Sequence, residues 1–141
     1  MSLQLEGVVT LLQVFDMPTS LRFYRDQLGF EIVSRSQPTD ECGWAWLRLG
    51  KAEIMLNTAY DDGERPTSPE PGRVRAHRDT ILYFGCPDVD GAFAFVRSRG
   101  IEAKEPETAW YGMRQLSFRD PDGYEICFQW RASEPETDSK H

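Results

Sequence analysis

Glu53-Ile54-Met55-Leu56-Asn57 (EIMLN) and Glu125-Ile126-Cys127-Phe128-Gln129 (EICFQ) stand 72 positions apart and read as one strand written twice. The register extends outward from them. Asp16 aligns with Asp88, Phe23 with Phe95 and Arg25 with Arg97; after a one-residue deletion, Gly29 aligns with Gly100 and Glu31 with Glu102. An ordered series of matches across several elements marks an internal repeat, and the repeat sets the fold before any single element does.

Each half follows one plan. Gly7 to Phe15 (GVVTLLQVF) is short, apolar and rich in β-formers, as a buried strand is. Asp16 is a candidate N-cap, and Pro18 suits a first helical turn. Leu21, Tyr24 and Leu28 then mark one face of a helix that Gly29 stops. Strands are expected at Phe30–Val33, Trp44–Leu49 and Ala52–Asn57, with Gly50-Lys51 as a tight turn. The second half offers Thr80–Cys86, a helix capped by Asp88 with Ala92, Phe93 and Val96 on one face, and a stop at Gly100. Strands at Ile101–Ala103, Gln115–Phe118 and Tyr124–Trp130 complete it, with Asp120-Pro121-Asp122-Gly123 as a turn. The fold class is therefore α+β, as tandem βαβββ modules in a single domain over 1–141. Module one covers 6–58, a polar linker 59–79, module two 80–130 and a polar tail 131–141.

Composition narrows the function. The chain has 141 residues, 40% of them hydrophobic, and a formal charge of −7. That describes a globular chain with enough apolar residues for a core. The acidity argues against nucleic-acid binding, which needs clustered cations to neutralise phosphates. No apolar run reaches the ~18 residues of a membrane span. MSLQLEGVV lacks the pattern of a signal peptide, so a cytoplasmic protein is expected. Cys42, Cys86 and Cys127 form no close pair, which argues against a disulfide framework or a structural zinc site.

Phe23-Tyr24-Arg25-Asp26-Gln27-Leu28-Gly29-Phe30 (FYRDQLGF) and Phe118-Arg119-Asp120-Pro121-Asp122-Gly123-Tyr124 (FRDPDGY), in this order, resemble signatures of the vicinal oxygen chelate superfamily. That superfamily includes glyoxalase I, extradiol dioxygenases, fosfomycin-resistance enzymes and bleomycin-resistance proteins. The resemblance covers about residues 6–130. It implies a cup-shaped mixed sheet with helices on its outer face, usually completed in a homodimer.

In metal-dependent members the ligands fall on the first and last strands of each module. The corresponding positions here are Val9, Met55, Ile81 and Cys127. Divalent cations want oxygen or nitrogen donors, and zinc also accepts thiolate. This set offers at most one thiolate, so no metal and no other cofactor is expected. Glu53 and Glu125 lie two residues earlier on the same strands, ~6.6 Å away, too far to substitute without rebuilding such a site. His77 and His141 are the only histidines, the first expected as a solvated loop residue and the second in the tail. Neither supports a catalytic triad, and Cys127 lacks an evident base.

Strand alternation places Val9, Leu11, Gln13, Glu53, Met55, Asn57, Ile81, Tyr83, Glu125, Cys127 and Gln129 on the open face of the sheets. Thr10, Leu12, Val14, Ile54, Leu56, Leu82, Phe84, Ile126 and Phe128 are expected under the helices. Trp110 and Tyr111, in a loop before Gly112, are pocket candidates ahead of Trp46. Arg114 beside them either meets a ligand anion or pairs with a carboxylate. Apolar walls with a few amides and acids suit a small-molecule site, and aromatic rings suit a planar or cationic ligand. The first expectation is a metal-free protein, like the bleomycin-resistance branch, that binds or sequesters an aromatic and cationic ligand without chemistry. The alternatives are a lyase or dioxygenase with a non-standard metal site, and a dimer whose cup is vestigial.

Overall fold

A computed structural model describes residues 2–60 and 63–132. The chain divides into two compact units, Met1–Pro71 and Gly72–His141. In the first, β1 (Thr10–Val14), β2 (Glu31–Arg35), β3 (Trp44–Leu49) and β4 (Ala52–Thr58) form a mixed sheet in the order β1-β4-β3-β2. In the second, β5 (Ile81–Gly85), β6 (Glu107–Thr108), β7 (Met113–Arg119) and β8 (Glu125–Arg131) repeat that order as β5-β8-β7-β6. In both, the first strand runs parallel to the last and the rest are antiparallel. The repeat is thus a repeat of topology.

The helices follow their caps. Asp16 accepts a hydrogen bond from the Thr19 backbone at the start of α1 (Met17–Leu21), with Pro18 in the first turn. The helix does not continue in α form to Gly29, as the periodicity alone suggests. Residues Arg22–Gln27 make a π-helical turn, with Leu28 N donating to Phe23 O over 3.0 Å. The consecutive aromatics Phe23 and Tyr24 are both buried there, edge to face at 4.9 Å. Gly29, at φ +99°, ends the segment. In the second unit Asp88 caps α3 (Val89–Ser98) through the Gly91 amide, and Gly100 at φ +84° follows it.

Each core lies on the helix side of its sheet. Leu12, Val14, Leu47, Ile54 and Leu56 are at most 2% exposed, packed with Met17, Leu21 and Tyr24. Leu116, Ile126 and Val96 do the same in the second unit. Burying such side chains contributes about 1.5–3 kcal/mol each.

Four further expectations are corrected. Gly7–Val9 lies outside β1, which starts at Thr10. Ile101–Ala103 is not a strand; the sheet edge is instead the two-residue β6. The linker is not wholly irregular, because Pro71–His77 forms α2. His77 is not a solvated loop residue: it is half-buried, stacked on Tyr124 at 4.0 Å, with Nδ1 2.7 Å from the Asp122 carbonyl oxygen. The tail beyond Ala132, with His141, lies outside the described residues. Among the described residues no helix is long and apolar enough to cross a membrane.

Candidate functional site

The open face of each sheet, opposite its helices, is built from rows of cross-strand neighbours. In the first unit one row runs Leu11–Met55–Trp46–Ser34 and the next runs Gln13–Asn57–Trp44. Leu11 is 41% exposed; Gln13, Met55, Asn57, Trp44 and Trp46 are half-buried. The Asn57 amide donates to Gln13 Oε1 over 3.2 Å, so the two amides hold each other in place. Glu53 accepts a 2.8 Å hydrogen bond from the Trp46 indole N–H. Val9 precedes β1 and is half-buried.

In the second unit the rows are Ile81–Glu125–Arg119, Tyr83–Cys127–Ser117 and Gly85–Gln129–Gln115. Gln115 donates to Gln129 over 2.9 Å and to the Tyr111 hydroxyl over 3.0 Å. Ile81 is 41% and Tyr83 56% exposed, large apolar surfaces to leave in water. Burial holds the Cys127 thiol above its ordinary pKa and so in its neutral, unreactive form.

Three of the expected site residues do not join these faces in the same way. Arg114 shares its side of β7 with the buried Leu116 and Phe118, and pairs with Asp90 of α3 at 2.8 Å. That bond holds the Asp90 carboxyl below its usual pKa. Trp110 and Tyr111 stand edge to face at 5.3 Å in the β6–β7 turn, with Trp110 almost fully exposed and only Tyr111 tied to the open face. Sequence reasoning passed over Gln115 and ranked Trp46 below these two. The cross-strand register carries both residues onto the open face, a signal that appears only once β3 and β7 are paired with β4 and β8.

The four positions at which the resemblance led metal ligands to be expected hold Val9 and Met55 in one unit and Ile81 and Cys127 in the other. Among the described residues no three His, Cys, Asp or Glu side chains converge as a metal-holding group. The donor chemistry therefore does not fit a divalent ion at the usual place. Elsewhere in the first unit, a cavity of about 620 Å³ opens at the strand ends, lined by Phe15, Met17, Glu41, Thr58, Tyr60 and Arg65 among others. None of the expected site residues lines it. Arg65 lies over the Phe15 ring and pairs with Asp16, which closes one side.

With this geometry, comparison with known proteins gives a consistent answer. Residues 8–128 match the family described as Glyoxalase/Bleomycin resistance protein/Dioxygenase superfamily, and the chain belongs to it. Among curated proteins none matches the sequence significantly. Solved structures similar to the chain include a glyoxalase/bleomycin resistance protein/dioxygenase from Nocardioides, at 19% identity and TM-score 0.68, covering 95% of this chain and 89% of that one. A bleomycin-binding protein complexed with bleomycin is 20% identical at TM-score 0.68, covering 92% and 100%. A protein of unknown function from Agrobacterium tumefaciens is 26% identical at TM-score 0.66, covering 91% and 95%.

Proposed function

We propose that this chain is a metal-independent binding protein that holds an aromatic small molecule on the open face of a sheet. The observation that carries this reading is what replaces the metal ligands. In the first unit Val9 and Met55 offer aliphatic and thioether groups beside paired amides, and in the second Ile81 is an exposed aliphatic group and Cys127 a buried neutral thiol beside another amide pair. Either face alone can desolvate a flat apolar ligand and orient it through amide hydrogen bonds. None of the four positions gives a divalent ion a carboxylate or imidazole donor, and binding or sequestration is the reading they support. The formal charge of −7 favours a cationic ligand. The likeness to a bleomycin-binding protein supports the same reading. Homodimerisation belongs to the proposal, and sedimentation velocity tests it.

Two measurements test the function. Protein purified without chelator is expected to hold no stoichiometric manganese, iron, nickel or zinc. A thermal-shift screen of planar aromatic compounds is expected to raise the melting temperature, since a ligand that binds only the folded state stabilises it. One bound metal equivalent that is needed for ligand binding overturns the metal-independent reading.

A further inference from the structure

The two copies of the repeat treat one carboxylate differently. Glu53 and Glu125 are equivalent, and each sits directly across from an arginine on the neighbouring strand, Arg48 and Arg119 respectively. In the second unit the pair is made, with Arg119 Nη2 3.6 Å from Glu125 Oε1. In the first it is not: among the described residues no ion pair involves Glu53, and its carboxylate is held by the Trp46 indole N–H at 2.8 Å. Trp46 lies across from Met55, and the residue in the equivalent place across from Cys127 is Ser117. The ring and the unneutralised carboxylate therefore occur together in one unit and are both missing from the other.

We propose that Trp46 and Glu53 form a cation-recognition subsite that selects a positively charged aromatic ligand over its neutral counterpart. The inference rests on the small-molecule-binding reading and names the ligand's charge and where it is read. Each part has a physical role. A half-buried carboxylate without a counter-ion attracts a cation more strongly than the same group in bulk water. The indole N–H takes one carboxylate oxygen and fixes its direction, leaving the other for the ligand. The indole ring is also the best of the aromatic rings for a cation at its face. Met55 and Leu11, next in the row, supply the apolar floor for the rest of the ligand. Arg48 is the one charged side chain directly across from Glu53, and its pairing with Glu53, which is not made in this structure, would compete with a bound cation.

The test compares N-methylacridinium with neutral acridine at about pH 8, where acridine is uncharged, by fluorescence titration of the full chain. Glu53→Gln keeps an acceptor for the indole N–H and removes the charge. It is expected to weaken N-methylacridinium binding by about tenfold or more while changing acridine binding by less than about twofold. Trp46→Phe keeps a ring, loses the N–H and is expected to weaken the cation by a smaller factor. Glu125→Gln removes the carboxylate that Arg119 already neutralises and is expected to reduce the preference by a smaller factor than Glu53→Gln does. Circular dichroism of each variant separates lost binding from lost folding. Equal affinity of wild type for both probes, or an equal loss from Glu53→Gln and Glu125→Gln, overturns the subsite and leaves the binding reading standing. Failure of wild type to bind either probe overturns both.

Discussion

Gly123 allows a stability prediction that separates two physical effects. Its φ is +90°, and a Cβ added there would stand 2.7 Å from the Val74 carbonyl oxygen and 2.9 Å from Val74 Cγ1. Val74 belongs to α2, which this turn supports. Gly50 is the natural comparison: its φ is +61°, and nothing lies within 4 Å of a Cβ added to it. Gly50→Ala therefore pays only for the left-handed backbone, about 1–2 kcal/mol. Gly123→Ala meets that cost and must also push back a backbone carbonyl, which adds overpacking of about 1–3 kcal/mol, for roughly 2–5 kcal/mol in all. Urea unfolding of both variants gives the difference directly, and the slope of each transition checks that the unfolded states match. Hydrogen exchange is expected to speed up at the amides of Asp122 and Tyr124, which donate to buried Asp120 at 2.9 Å, and to stay unchanged in Gly50→Ala. Equal destabilisation by the two substitutions would refute the packing of α2 on this turn.

Three further outcomes are expected. Leu56→Ala, at a side chain with no exposed surface, is expected to cost about 2–5 kcal/mol in urea unfolding. Hydrogen bonds from Arg25 hold the Asp26 and Asp40 carboxyls below their usual pKa. A depressed folded-state pKa gives stability that is present above the unfolded value and lost as pH falls through the folded one. Between about pH 6 and about pH 3, Asp40→Asn is therefore expected to flatten part of the acid-side loss, by under about 1 kcal/mol, because the two side chains are 30% and 42% exposed. Burial raises the pKa of Cys42 and of Cys127, so iodoacetamide near pH 8 is expected to leave both unmodified by mass spectrometry until denaturant is added.

The fold was legible because its signals are local. Asp16 and Asp88 mark the starts of helices, Gly29 and Gly100 their ends, and period-two alternation in EIMLN and EICFQ separates the buried side of each strand from the open one. Two-residue β6 has no such signal, because its pairing to β7 and not its own composition makes it a strand. The π-helical turn is invisible for a similar reason: Leu21, Tyr24 and Leu28 fit ordinary helical spacing, and the widened turn shows only in the bonds.

By itself the sequence determined the duplicated module, the cap and stop of each main helix, and the side of each strand on which Leu11, Met55, Tyr83 and Cys127 stand. It also determined the residue types at the four counted positions, Val9, Met55, Ile81 and Cys127, at which the resemblance led metal ligands to be expected. Only the tertiary structure decided which groups are free to act. His77 is seated on Tyr124, Arg114 is spent on Asp90, Glu125 is neutralised by Arg119, and Glu53 is held by Trp46. Those choices depend on the diagonal reach of long side chains between paired strands, and periodicity along one strand carries no information about it.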